Sequence, residues 1–515
     1  MPAASHSARP RRSLLVVLWL VMVLIGAYWT FVSFRSAGVM DVASDDLAHA
    51  WQTVWNVGHG NGFQHSHIPI HHNASRLATH ADYMLALLAP LSWIWANYQV
   101  LLLFQAAFVA LGAWFVFRIA WLRLHDDTIA FTLALSYLLA GAVAFPVIWQ
   151  FHAVTLVMTL FLGWVEACIA GRRGWVLWLW FVLALSCKEQ VGFIAGPLAF
   201  IIARRMKQQK IGWWMLGVGI AWSLIQYLII LPHFAPTEVN DVFWQFYFGS
   251  LGHTPMQIIP KLFRPAEIWH RLTRTAVLQS TVGVLVPVFF LGLLDPLVAL
   301  AAVAVLPHWL SDPPSVLGIY AQNHVLAVPI IFVAAIFSIG RIQASRRWSR
   351  LRRFIVLGIS VFMVLGTCLM SPYPWSTLFA PLDLARDPDL HTLQQLNRNI
   401  PSSAILGYSW GIPPIFGDRK TTHVLPYGLD EIDYAVVHPS KNVNFQNLVG
   451  TYDEELFSYF DHSAAFITIY RSPTIGIYRR VPRKTLEKLP DSFVDKTPSW
   501  TGFCQDACLQ QVVGE

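Results

Sequence analysis

Charge is what this sequence has least of. Only 13% of its 515 residues are Asp, Glu, Lys or Arg, against roughly a quarter in a soluble domain. With 55% hydrophobic residues and a mean hydropathy of +0.49, the composition excludes an ordinary soluble protein and implies an integral membrane protein. Cysteine is also scarce, at five. Cys168, Cys187 and Cys368 lie in apolar runs, where thiols act as packing groups. Cys504 and Cys508 stand in a polar region, either as a disulfide formed in an oxidising compartment or as two unpaired thiols. No Walker phosphate loop, Rossmann glycine fingerprint, GxSxG elbow or HExxH pair is present, which removes the chemistries built on those motifs. The net charge is +7, but the cations come in short bursts between apolar runs, a pattern of membrane orientation rather than nucleic-acid binding.

What is present is a series of greasy segments. The burst RPRR at 9–12 precedes LLVVLWLVMVLIGAYWTFV, a run that can cross a bilayer core of ~30 Å. Bulky Tyr28, Trp29 and Phe31 occupy the place where a cleavage site needs small residues, so the run reads as an uncleaved anchor with a cytoplasmic amino terminus. Further runs centre near residues 109, 136, 160, 180, 196, 222, 285, 303, 330 and 362, giving an expected polytopic α-helical protein of about eleven transmembrane helices. Arg118 and Arg123, Arg172 and Arg173, Arg204 to Lys210, and Arg341 to Arg353 fall on alternate connections, as the positive-inside rule requires. The segment 83–96 is taken as interfacial or re-entrant, with Trp93 and Trp95 at the headgroups. The expected organisation is a transmembrane domain over 1–371, with outer loops at 36–96 and 234–276. An extracytoplasmic α/β or mixed domain follows over 372–515, with strand-like runs SAILGYSW, YAVVHP, AAFITIYR and TIGIYRR.

On that topology the ionisable residues of the apolar half collect at the outer face. Asp45, Asp46 and His49 follow the first span in DDLAHAWQTVWNVGHGNGF; His80 and Asp82 close the first outer loop. His152, Lys188, Glu189, His308 and His324 sit in or beside later outer turns. Ionisable groups at membrane depth are costly and mark sites, so their convergence points to function. His59, His65, His67, His71, His72 and His80 crowd one loop and could chelate a divalent metal, but their spacing fits no defined metal motif. The expectation is therefore no metal or other cofactor, with hydrogen-bonding loop histidines.

The ordered set DL-x4-Q-x2-WN-x2-HG-x-GF (Asp46 to Phe63), SRL-x2-H (Ser75 to His80), LLAPL (Leu87 to Leu91), FH (Phe151, His152) and KE-x-VGF (Lys188 to Phe193) resembles the bacterial membrane proteins grouped as domain of unknown function 2079. That family is similar to the C-type (GT-C) glycosyltransferases, which take a sugar from a polyprenyl-phosphate carrier at the outer side of the membrane and place an acidic residue on a helix of the first outer loop. The resemblance implies a GT-C-like fold in the bacterial cytoplasmic membrane. Its implied partners are the lipid bilayer and a polyprenyl-phosphate sugar donor, with no nucleic acid. It puts Asp46 in the acidic role, with Asp45 beside it as an acidic pair. Val154 and Gln190 depart from the family pattern, which often has Glu and Asp there. The chemistry of such a transfer needs a base for the acceptor hydroxyl and positive charge for the departing phosphate. Asp46, Asp45, His49 and His80 are the catalytic candidates. His152, Lys188, Glu189, Lys261, Arg264, Arg271 and Arg274 are the substrate and phosphate candidates. The residues taken alone also allow Asp46 as a helix N-cap, Lys188 and Glu189 as a structural ion pair, and the basic residues 261–274 as a headgroup contact. A transporter or flippase, or a non-catalytic envelope scaffold, is the alternative reading of the whole.

Overall fold

The computed structural model describes residues 10–38, 45–65, 75–235, 247–252, 254–313, 317–319, 322–345, 347–376, 388–409, 412, 414–425, 428–438 and 452–482. A helix occupies each apolar run. Five are long and apolar enough to cross a membrane: Arg12–Ala37, Gln99–Leu124, Asp127–Trp149, Gln209–Phe234 and Trp348–Leu369. Shorter helices fill the other runs, at Ala153–Ile169, Gly174–Leu185, Val191–Arg205, Thr275–Val288, Leu297–Trp309 and Ala327–Gln343. Their outward faces are apolar: Leu20, Val23 and Leu24 on the first, Trp213, Trp214 and Leu228 on the Gln209–Phe234 helix, Phe354, Leu357 and Val364 on the Trp348–Leu369 helix are all exposed. Faces of that extent suit lipid, not water. The segment 83–96 is two short turns, Met84–Leu88 and Leu91–Ile94, far below the ~20 residues of a crossing. Trp93 stays exposed there and its indole donates to the Gly58 carbonyl at 2.9 Å.

The two ends of the bundle carry different chemistry. At one end the basic clusters find acidic partners: Arg118 with Glu166, Arg205 and Arg341 with the buried Asp295, and Arg352 with Asp126. Arg123 and Arg205 both lie over the Phe337 ring. At the other end stand the residues 45–65, 75–98, 150–156, 186–190 and 308–324, together with the carboxy-terminal unit.

That unit has a core of its own, built on Leu406, Tyr408, Phe416, Ile432, Val436, Phe460, Ile477 and Tyr478. Five strands, β1 (Leu406–Tyr408), β2 (Thr422–Val424), β3 (Tyr434–Val437), β4 (Phe466–Arg471) and β5 (Gly476–Arg480), form one sheet in the order β2-β1-β3-β5-β4. β1 pairs in parallel with β2 and β3, whereas β5 pairs antiparallel with β3 and β4. Helices Pro388–Asn399 and Tyr452–His462 complete a mixed α/β unit. Cys504 and Cys508 lie outside the described residues.

Between bundle and sheet unit lies the helix Asp45–Gly58. Leu47, Ala50, Trp51 and Val54 are buried, as an amphipathic pattern demands, but Gln52, Thr53 and Asn56 are buried as completely. The Gln52 amide donates to the Arg419 carbonyl and the Thr422 hydroxyl, both at 3.3 Å. Asn56 donates to the carbonyls of Gln64 at 2.8 Å and Lys420 at 3.3 Å. The helix is thus not laid open on a membrane surface: the sheet unit covers its polar face.

Close packing within the bundle rests on small residues. Val191–Arg205 and Gln209–Phe234 meet along Gly192, Gly196 and Gly219, where a Cβ on Gly192 would fall 2.1 Å from the Gly219 carbonyl oxygen. Nearby Gly217 faces open space. Overpacking of this kind costs about 1–3 kcal/mol or more. Gly192→Leu is therefore expected to lower the thermal midpoint of the detergent-solubilised protein by several degrees or prevent its accumulation, while Gly217→Ala leaves it unchanged, as read by a fluorescence melting curve.

Candidate active site

The enclosed helix presents Asp46 to a bend in the chain at 150–152. The bend exists because Gln150 ends the helix Gly141–Trp149 in an extended conformation, and buried Gln105 pins it. Gln105 donates to the Gln150 carbonyl at 2.8 Å and accepts from the His152 backbone N–H at 3.0 Å. The Gln150 side chain in turn accepts from the Leu47 N–H at 3.1 Å, fixing the first turn of the Asp45–Gly58 helix. His152 is thereby aimed at Asp46, its Nε2 donating to Oδ2 at 2.9 Å. The His152 side chain is 9% exposed, but Asp46 keeps 45% of its side-chain surface accessible, so the carboxylate is the reachable member of the pair.

A second carboxylate–histidine pair stands close by. Glu189, buried in the turn between Gly174–Leu185 and Val191–Arg205, meets His80 Nδ1 through Oε1 at 3.1 Å and accepts from the Ala81 N–H through Oε2 at 3.0 Å. Its backbone carbonyl accepts from Ser223 Oγ at 2.6 Å. Between the pairs, Arg76 donates twice to Asp82 Oδ2, at 2.7 and 3.1 Å, and its other terminal nitrogen reaches His49 Nδ1 at 3.4 Å. Both Arg76 and Asp82 are buried, a pairing that holds only because the carboxylate receives two charge-assisted bonds.

Electrostatics follow from this geometry. Enclosure by protein would raise the Asp46 carboxyl, but facing His152, with His49 and Arg76 near, outweighs it and holds the group well below the usual carboxylate range. Burial likewise opposes ionisation of Glu189, and His80 with Lys188 overcomes it, bringing the group down to about 2. The Tyr247 hydroxyl is pushed up to about 12, by burial first and then by Asp46 and Glu189. One phenol feels both carboxylates, so the two pairs face a common space. Aromatic rings flank it: Tyr83 meets Phe63 and Trp222 edge-on, and its hydroxyl donates to Gln226 at 3.0 Å.

The structure brings Asp46, His49, His80, His152 and Glu189 together, with His152 and Glu189 as partners in pairs rather than as free phosphate ligands. Lys188 adjoins Glu189 and lies near enough to His308 to act on it electrostatically, as His308 does on His324. Asp45 heads the helix, and its side chain is not among those described. The outer-loop cations are arranged otherwise. Arg271 is buried against Glu267, Asp312, Ser250 and the Leu310 carbonyl; Arg274 donates to the Arg271 and Trp309 carbonyls; Lys261 donates to the Leu251 carbonyl. They tie down the loop Pro255–Leu272, and Arg264 remains exposed. Of the loop histidines, His59 stacks on Trp55 at 4.1 Å, His65 packs against His49 at 4.8 Å, and His67, His71 and His72 lie outside the described residues. Among the described residues, no three His, Cys, Asp or Glu side chains group as metal ligands. Sequence reasoning did not single out Arg76, Gln105 or Gln150; a lone amide at Gln105 inside an apolar run was the available signal.

The Glu189–His80 pair predicts a pH dependence. Because the folded carboxyl titrates at about 2 rather than at the ordinary ~4.3, the pair contributes its full stabilisation above that ordinary value and loses it as pH falls toward 2. Between about pH 6 and about pH 3.5, the melting midpoint of the wild type is expected to fall by a few degrees more than that of Glu189→Gln. Parallel curves for the two proteins would show that the pair does not couple to folding.

Residues 40–415 match the model of a family described as predicted membrane protein, domain of unknown function 2079. No curated protein matches the chain. Solved structures similar to it include ArnT from Cupriavidus metallidurans bound to undecaprenyl phosphate, 10% identical with a TM-score of 0.47 over 90% of this chain and 98% of that one. Another is the oligosaccharyltransferase AglB from Archaeoglobus fulgidus in complex with an inhibitory peptide and a dolichol-phosphate, 10% identical with a TM-score of 0.41 over 92% of this chain and 77% of that one.

Proposed function

The chain belongs to that family of membrane proteins, and from this premise we propose that it transfers a sugar from a polyprenyl-phosphate-linked donor to an envelope acceptor, with Asp46 as the catalytic carboxylate. The observation that carries the reading is Asp46 itself: an ionised, accessible carboxylate held by His152 beside a second buried carboxylate–histidine pair and an aromatic wall. In the proposed step, the bond between the sugar's anomeric carbon and the phosphate oxygen breaks, and its electron pair leaves with the phosphate. The acceptor hydroxyl oxygen bonds to that carbon and its proton passes to Asp46. A carboxylate with a depressed pKa suits this order of events. The acceptor oxygen becomes strongly acidic only once the new bond is forming, so a weak base suffices, and a permanent negative charge stabilises the positive character at the sugar. Lys188 supplies positive charge for the leaving phosphate. Buried His324, whose two ring nitrogens have no hydrogen-bond partner among the described residues, adds a donor near it.

Polarity follows from the separation of charge between the ends. The end bearing Arg118, Arg205, Arg341 and Arg352 faces the cytoplasm by the positive-inside rule. The site and the sheet unit then lie outside a bacterial cytoplasmic membrane crossed by eleven helices. Reporter fusions after residues 208 and 346 are expected to read cytoplasmic, and fusions after 255 and 420 extracytoplasmic. An outside signal at 208 would reverse the assignment.

The catalytic test is Asp46→Asn, which keeps shape and hydrogen bonding but removes the charge. Mass spectrometry of envelope glycans and glycolipids should show a sugar lost on deletion of the gene and restored by the wild type. Asp46→Asn, at equal abundance, should restore it about 10²–10⁴-fold more slowly. Full restoration by Asp46→Asn, or no glycan change on deletion, would remove the reading.

A further inference from the structure

The Asp45–Gly58 helix has a second functional face. Trp51 lies five residues beyond Asp46, about 140° around the helix axis, and faces away from the site just described. There it borders a cavity of about 260 Å³ between the bundle and the sheet unit. Asn97 and Tyr98 line it from the membrane part, and Gln394, Arg398 and Asp418 from the sheet unit. The volume lies just below the roughly 300 Å³ at which sites for drug-sized ligands begin, a size suited to one small ring.

Its chemistry is specific. Two aromatic side chains, Trp51 and Tyr98, are buried with their edges on the cavity, and planar amide, guanidinium and carboxylate groups stand around them. Asp418 Oδ1 is out of contact with solvent and has no hydrogen-bond partner among the described residues. A buried carboxylate oxygen left unmatched costs free energy that a ligand's O–H can recover. The neighbouring Asn397 is committed, donating to the Ile415 carbonyl at 2.8 Å and accepting from Arg419 at 2.9 Å, so the walls are held in place before anything binds. A ring with hydroxyl groups on its rim and C–H groups on its face matches this lining: hydroxyls donate to Asp418 and accept from Arg398 and Gln394, and the C–H face packs on the aromatic edges.

We propose that this cavity is a saccharide-binding site, separate from the Asp46 centre, that holds one sugar unit between the enclosed helix and the sheet unit. Because it draws one wall from each unit, an occupied site also fastens the sheet unit over the Asp45–Gly58 helix.

Saturation-transfer-difference NMR on the full-length protein in detergent tests this with a mixture of free glucose, galactose, mannose, arabinose and N-acetylglucosamine as the probe. At least one of these sugars is expected to receive saturation from the wild type. That signal should fall at least several-fold in Asp418→Ala and in Arg398→Ala, and persist in Asp46→Asn. If Asp418→Ala shows an altered melting curve, the isosteric Asp418→Asn replaces it, with the same loss expected. No transfer to any of the five sugars, or equal transfer in wild type and both cavity variants, overturns the proposal. Transfer lost in Asp46→Asn but kept in the cavity variants places the sugar at the Asp46 centre and overturns it as well. Since the readout is binding, failure of the transfer reaction at Asp46 leaves this result interpretable on its own.

Discussion

A helix with no face turned to water has to satisfy every polar group it carries from protein, and the Asp45–Gly58 helix sets that condition for the rest of the molecule. Its apolar residues close against the bundle, while Gln52 and Asn56 are matched by backbone carbonyls of the sheet unit. Removing that cover would leave buried amides without partners, each costing on the order of 1–3 kcal/mol. The sheet unit is therefore part of the architecture of the site: its loop at 419–422 replaces the water that an amphipathic surface helix would otherwise face. Gln105 and Gln150 do the same from the other side, spending their amides on the bend that delivers His152.

Within that enclosure the charges balance locally. Asp46 is matched by His152, Glu189 by His80, and Asp82 by Arg76, and His49 links the last pair to the helix. Pairs this close stay ionised although burial opposes it, because each carboxylate gains more from its facing donor than it loses from water. Accessibility then divides the roles. Glu189 and Asp82 are buried and fully engaged, so they hold the loop 75–82 in position, and Asp46 alone of the three presents a substantial open surface.

Much of the membrane part was legible in the sequence because its signal is local. Every apolar run became a helix, and the segment 83–96 became two short turns ended by exposed tryptophan. Strands β1, β3, β4 and β5 fall on the apolar runs expected of them, whereas β2, Thr-His-Val, was too short and polar to register before its neighbours gave it a partner. The pairing of Asp46 with His152 spans 106 positions and leaves no local trace; a resemblance to a family drew attention to the residues, but not to their contact. The enclosure of the helix was illegible for the same reason, since its covering loop lies more than 360 positions away. Arg271 and Arg274 read as surface cations because nothing nearby in sequence reveals the Asp312 and Trp309 groups that take them up.

One irregularity ties helix geometry to the site. The Gln209–Phe234 helix relaxes into a π-helical stretch at Gln226–Ile230, where the hydrogen bonds skip an extra residue. Such stretches cost regularity and are kept where a side chain must be re-aimed. Here the stretch begins at Gln226, whose side chain accepts from the Tyr83 hydroxyl, and it follows by one turn Ser223, which donates to the Glu189 carbonyl. Tyr83 directly follows Asp82 and lies three residues beyond His80, so a shift in that helix is passed to both the aromatic wall and the Glu189–His80 pair. The lipid-exposed helix is thereby made to serve the polar site: its outward face remains apolar at Leu228 and Ile229, while its inward face departs from α geometry where the site needs a fixed acceptor.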